Sequence, residues 1–79
     1  MKKNPSKNKK LLKHLGVNIK FYRKKLNLTQ EKLAEILDAE RSYITALESG
    51  NKSPSLYFLH ELSEALNIKL KDLTDIKIN

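Results

Sequence analysis

Between Glu40 and Ala46 the chain concentrates hydrogen-bonding groups of several kinds: a carboxylate on Glu40, a guanidinium on Arg41, and hydroxyls on Ser42, Tyr43 and Thr45. Groups of these kinds can bond water, other protein groups or the edges of nucleic-acid bases. Arg41 can donate two bonds to guanine O6 and N7, and Glu40 can accept from cytosine N4. Ser42 and Thr45 can bond several bases or a phosphate, and Ala46 or the Thr45 methyl can touch a thymine methyl. The alternative for each is an ordinary solvated helix face. Tyr43 can reach a phosphate with its hydroxyl or pack on the preceding helix.

Other chemistries lack their residues. The chain has no cysteine, which removes disulfides, thiolate zinc sites and thiol nucleophiles, and suits a reducing cytosol. His14 and His60 read as isolated, with no second ligand at metal-binding spacing, so no metal or other cofactor is expected. Gly16 and Gly50 form no phosphate-cradling loop, and no Ser, His and Asp grouping supports a nucleophile. The chain is not expected to be an enzyme. No apolar run approaches the roughly 18 residues of a membrane span, and the lysine-rich start lacks the apolar stretch of a signal peptide. A cytoplasmic location follows as the expectation, with no membrane partner.

Charge is unevenly distributed. The net charge of +7 arises entirely in residues 1–30, which hold ten bases and no acid, whereas residues 31–79 hold six bases and nine acids. Such a gradient suits a polyanion or an anionic membrane surface; the alternative is a solubilising tail. Residues 1–10 are Asn, Pro, Ser and Lys apart from Met1. With nothing apolar to offset the entropy of ordering it, this segment reads as a flexible basic arm.

The elements that must position the Glu40–Ala46 cluster follow from periodicity. Leu15, Ile19, Tyr22 and Leu26 form one stripe at the 3.6-residue period, giving a first helix from Leu11 or Leu12 to Leu26 that Asn27 can cap. Thr29 is an N-cap for a second helix, Gln30–Leu37, with Leu33, Ala34 and Leu37 on its apolar face. A third helix, Arg41–Ser49, carries Ile44 and Leu47 and closes at Gly50. Ser55 caps a fourth, Leu56–Leu66, ended by Asn67, and Leu70 and Leu73 mark a short fifth over Lys69–Thr74. Asp75 to Asn79 alternates like a strand but is too short to assign. The expectation is an all-α, compact bundle of five short helices in one domain, residues 11–79.

The second and third helices, joined by a tight turn, must cross steeply with their inner faces touching. Counting Gln30 as first, the fifth residue is Ala34, small enough for close approach. The ninth is Asp38, which tolerates a left-handed turn, and the fifteenth and eighteenth are the apolar Ile44 and Leu47. Gln30 stands at the positive N-terminus of its helix, placed to bond a phosphate.

With this spacing the sequence resembles the Cro/CI-like helix-turn-helix family, also called the XRE family, over roughly residues 15–74. Leu28-Thr29-Gln30-Glu31-Lys32-Leu33-Ala34 is similar to the opening of its second helix. Ile44-Thr45-Ala46-Leu47-Glu48-Ser49-Gly50 is similar to the end of its third, and Ser53-Pro54-Ser55-Leu56 to the start of its fourth. Arg41-Ser42-Tyr43-Ile44 most resembles the recognition helices of restriction-modification controller proteins, with departures at Ser49 and Lys52, where those proteins usually carry arginine. Asp38 departs from the usual glycine, and Glu40 stands where a Ser or Thr cap is usual, so the third helix is expected to start less firmly or to borrow Asp38.

The resemblance implies a lambda repressor-like DNA-binding domain and a transcriptional regulator that places Glu40, Arg41, Ser42, Thr45 and Ala46 in the major groove. It implies phosphate contacts from Gln30, Asn51 and Lys52, and a pairing of Arg23 with Glu48 that is first structural and second a phosphate contact. A single recognition helix discriminates few base pairs, so a homodimer on a partly palindromic operator is expected. Its interface candidates are Tyr57, Phe58, Leu70, Leu73 and Ile76, each of which could equally complete the core. RNA polymerase is a further partner to consider. The alternative function is a protein-interaction module, such as an antitoxin or anti-repressor relative.

Overall fold

A computed structural model describes the backbone of residues 5–75 and side chains from residue 9. Five helices follow one another: α1 (Pro5–Lys25), α2 (Gln30–Ile36), α3 (Arg41–Glu48), α4 (Leu56–Ala65) and α5 (Leu70–Thr74). No strand occurs among the described residues. The last four match their expected bounds to within one residue.

α1 differs. It begins at Pro5, so the segment expected to be a flexible arm over residues 1–10 is helical from its midpoint onward. The proline's fixed φ suits a first helical position, and lysine is a good helix former. Once a packed helix exists downstream, each added residue propagates it without a new nucleation cost. The remainder of the expected arm, residues 1–4, and the end of the alternating tail, residues 76–79, lie outside the described residues.

One backbone device stops four of the helices. Asn27, Asp38, Gly50 and Asn67 all take positive φ, between 54° and 80°. At each, the next residue's N–H reaches back five positions: Leu28 to the Arg23 carbonyl, Ala39 to Ala34, Asn51 to Ala46 and Ile68 to Ser63. These are Schellman ends, which satisfy carbonyls that the helix leaves unpaired. Asparagine and aspartate tolerate the left-handed region better than other non-glycine residues, so Asp38 makes the turn between α2 and α3 without a glycine.

Starts are less uniform. The Thr29 hydroxyl accepts from the Lys32 N–H at 3.0 Å, and the Ser55 hydroxyl accepts from the Phe58 N–H at 3.1 Å. Glu40 precedes α3 with no side-chain cap bond, which agrees with the expected weaker start. The carboxylate of Asp72 accepts from the Lys69 N–H at 3.0 Å and holds the first turn of α5.

The core is built from Leu15 and Ile19 of α1, Leu33 and Ala34 of α2, Ile44 and Leu47 of α3, Leu62 of α4, Leu66 just after it, and Leu73 of α5. α3 packs against both α1 and α2, and α5 against α1 and α4. The α1–α3 approach is closest at Gly16, where a Cβ would fall within 2.6 Å of the Leu47 carbonyl oxygen and closer still to that of Glu48. Glycine at position 16 therefore sets how near α1 lies to the end of α3. Leu26 leaves the expected stripe: it follows the last residue of α1 and is exposed.

Candidate nucleic-acid interface

With Ile44 and Leu47 buried beneath it, α3 turns its opposite side to solvent. Glu40, Arg41, Ser42 and Thr45 are all exposed and Ala46 is half-buried, so the expected base-facing set shares one accessible surface. Asn51 and Lys52, just beyond the Schellman end of α3, are exposed as well. The N-terminus of α2 lies beside the start of α3, and Arg23, Thr29, Gln30, Glu31 and Arg41 line a shallow open pocket between them.

A buried ion pair anchors this surface from behind. Arg23 Nε donates to Glu48 Oε2 at 2.6 Å and Nη2 donates to Oε1 at 3.0 Å, with side chains only 8% and 3% exposed. The fork-on-carboxylate geometry is the strong, two-bond form of such a pair. Arg23 Nη1 also donates to the Leu28 carbonyl at 2.6 Å. The guanidinium therefore ties α1 to the end of α3 and to the loop before α2. This is the structural arrangement that the resemblance implied.

The network continues outward in a way the sequence reading missed. Gln30 Nε2 donates to Glu48 Oε1 at 3.0 Å, and the Thr45 hydroxyl donates to Gln30 Oε1 at 2.8 Å. Arg23, Glu48, Gln30 and Thr45 thus form one chain of hydrogen bonds from the core to the exposed side of α3. No buried side-chain nitrogen or oxygen among the described residues lacks a partner. Glu48 takes one of the two Gln30 amide hydrogens.

Several expected roles change. The Tyr43 ring meets Phe58 of α4 edge-to-face, with centroids 5.1 Å apart. The ring packs on α4, a contact outside the two expected alternatives of a phosphate or α2, and both rings are half-buried against the core. Leu73 is fully buried and is removed from the dimer candidates, because it is the core anchor of α5. Leu70 is half-buried, Tyr57 is 74% exposed, and Ile76 lies outside the described residues. The neighbouring Leu56 is 70% exposed and was not singled out.

His60 is not isolated. Its ring and the carboxylates of Glu61 and Glu64 offer ligand atoms within 4.8 Å of one another on the exposed side of α4. The i,i+4 spacing of His60 and Glu64 was the available signal. His14 lines a separate cleft with Asn18, Phe21, Tyr22, Asp72 and Asp75. Asn18 Nδ2 donates there to the Leu73 carbonyl at 2.9 Å and joins α1 to the end of α5. Among the described residues no helix is long and apolar enough to cross a membrane.

A family model described as helix-turn-helix matches residues 19–73, which span α2 to α4 together with the end of α1 and most of α5. A helix-turn-helix-type transcriptional regulator of Methanothermobacter thermautotrophicus is 50% identical over 48 residues, 61% of this chain and 70% of that protein. Control protein C.BamHI of Bacillus amyloliquefaciens is 43% identical over 51 residues, 65% of this chain and 63% of that protein. Among solved structures, the restriction-modification controller protein C.AhdI from Aeromonas hydrophila superposes with a TM-score of 0.76 at 32% identity, covering 78% of this chain and 94% of that one.

Proposed function

Because the chain belongs to the helix-turn-helix family, XRE type, whose model matches residues 19–73, we propose that it is a sequence-specific regulator of transcription that binds duplex DNA. The observation that carries this reading is the shared exposure of Glu40, Arg41, Ser42 and Thr45 on the first two turns of α3, above a core that fixes the helix rigidly. A helix presented this way suits the major groove, where each base pair has its own pattern of donors and acceptors.

In this reading α3 reads bases and its surroundings hold phosphates. Arg41 carries the guanidinium fork for a guanine, with Glu40, Ser42, Thr45 and Ala46 beside it. Gln30 at the α2 N-terminus, and Asn51 and Lys52 at the end of α3, grip the backbone on either side. The Tyr43 hydroxyl adds a phosphate contact, while Arg23 acts chiefly through Glu48. Two copies dimerise through the exposed end of α4, at Leu56 and Tyr57, with Leu70 of α5. Their recognition helices then meet half-sites of a partly palindromic operator roughly 34 Å apart. The protein acts where the DNA lies, in the cytoplasm, and contact with RNA polymerase would decide between activation and repression.

The test is duplex binding by fluorescence anisotropy across a salt series. Affinity should fall steeply, with a log-log slope of about −0.9 for each phosphate neutralised. Binding that ignores salt between low and physiological strength would remove the proposal. A protein partner copurifying from nuclease-treated extract, with no duplex affinity, would favour the interaction-module reading instead.

A further inference from the structure

Thr45 has one hydroxyl proton and two acceptors of the same chain within reach of it. Gln30 Oε1 lies at 2.8 Å and the Arg41 carbonyl oxygen at 3.1 Å. The shorter bond, to Gln30 Oε1, holds the proton toward a neighbouring side chain, while the residue itself is exposed. What Thr45 shows to solvent is a lone pair and a methyl group.

The orientation of Gln30 is fixed by its other neighbour. Its Nε2 lies 3.0 Å from Glu48 Oε1, and that carboxylate already accepts two bonds from Arg23. Turning the amide over would set Gln30 Oε1 against the Glu48 carboxylate, oxygen to oxygen. Gln30 therefore keeps its carbonyl toward Thr45. Were Thr45 to swing its proton toward a ligand, two oxygens 2.8 Å apart would face each other with no hydrogen between them. Two acceptor oxygens that close repel, and the bond between them is lost, so that arrangement is disfavoured.

We infer that Thr45 reads DNA only as a hydrogen-bond acceptor, and so selects a base with an exocyclic amine in the major groove: adenine through N6 or cytosine through N4. Guanine O6 and N7, thymine O4 and phosphate oxygens are themselves acceptors and have nothing to donate. This narrows the sequence-level expectation, in which the hydroxyl could bond several bases or a phosphate. It rests on the proposal that α3 enters the major groove, and it names which bases one position of the site can hold.

The experiment is selection of binding sites from a random duplex pool by the full-length chain and by Thr45→Val and Thr45→Ser, followed by affinity measurement on the selected site. Thr45→Val has nearly the same shape but no hydroxyl. It should lose the preference for adenine or cytosine at one position in each half-site, and Thr45→Ser should retain it. Replacing that base by an analogue lacking the amine, purine for adenine or 2-pyrimidinone for cytosine, should weaken the unmodified protein about three- to tenfold, the range of one neutral hydrogen bond. The analogue should cost Thr45→Val nothing. A thermal midpoint for each variant shows that it is folded.

The inference is overturned if Thr45→Val instead loses a preference for guanine or thymine, if no position responds to it, or if the analogue costs both proteins equally. A pool in which the unmodified protein selects no sequence at all would overturn the proposed function itself, and the two failures are thereby distinguished.

Discussion

Replacing Glu48 by alanine should strip the buried arginine of its partner while leaving the arginine in place. The Arg23 and Glu48 side chains are 8% and 3% exposed, so solvent cannot readily take over the lost bonds. Arg23 would keep its bond to the Leu28 carbonyl but lose both bonds to carboxylate, and Gln30 would lose the acceptor for Nε2. Breaking a buried pair from one side costs about 3 kcal/mol or more, because an uncompensated charge remains. A domain of this size loses roughly 4–8 °C per kcal/mol, so the midpoint should fall by roughly 12–24 °C. Thermal unfolding followed by circular dichroism, with a urea titration beside it, measures both quantities. Removing both partners at once, as Arg23→Met with Glu48→Leu, should restore much of the loss, since an apolar pair has no charge to desolvate. An unchanged midpoint in Glu48→Ala would refute the buried, load-sharing role assigned to the pair.

Gly16→Ala should destabilise by about 1–3 kcal/mol, the range for overpacking, because its Cβ would meet the carbonyls of Leu47 and Glu48; a midpoint equal to that of the unmodified chain would show that α1 and α3 can part without cost. Thr29→Ala removes the oxygen that accepts from the Lys32 N–H, and the loss of this N-cap should cost about 1 kcal/mol in urea unfolding. Lys52→Ala should weaken binding to all duplex sequences by a similar factor and lower the salt slope by about 1, which competition between selected and random duplexes would show.

The parts of the fold legible from sequence are those decided within a few residues. Asn27, Asp38, Gly50 and Asn67 marked helix ends because each tolerates positive φ, and all four adopt it. Thr29 and Ser55 marked starts because an oxygen at that position can reach a free N–H, and both do. Ile44 and Leu47 were legible as buried because their spacing defines one side of α3. The α1 start was not, since propagation from a packed helix carries the chain through residues that have no apolar reason to be ordered.

Placements that depend on two elements meeting were harder. Leu73 and Leu70 look alike in a five-residue helix, and only docking against α1 and α4 decides that Leu73 is the one fully buried. Gly16 gave no signal until α3 was in place to crowd it. Gln30 and Thr45 stand 15 residues apart, and their bond exists because the turn at Asp38 brings the start of α2 against the exposed side of α3. That bond changes the chemistry of the candidate site, turning a hydroxyl of either sense into an acceptor.

The central claim, that α3 reads sequence, is tested most directly by binding-site selection on the unmodified chain and on Arg41→Ala. Arg41 is exposed and carries the only guanidinium on α3, which can make a two-bond contact to guanine. The variant should bind the selected site about 1–3 kcal/mol more weakly and lose preference at one base pair in each half-site, with the other positions still recognisable. If Arg41→Ala returns the same selected sequence at every position, α3 is not the reading helix.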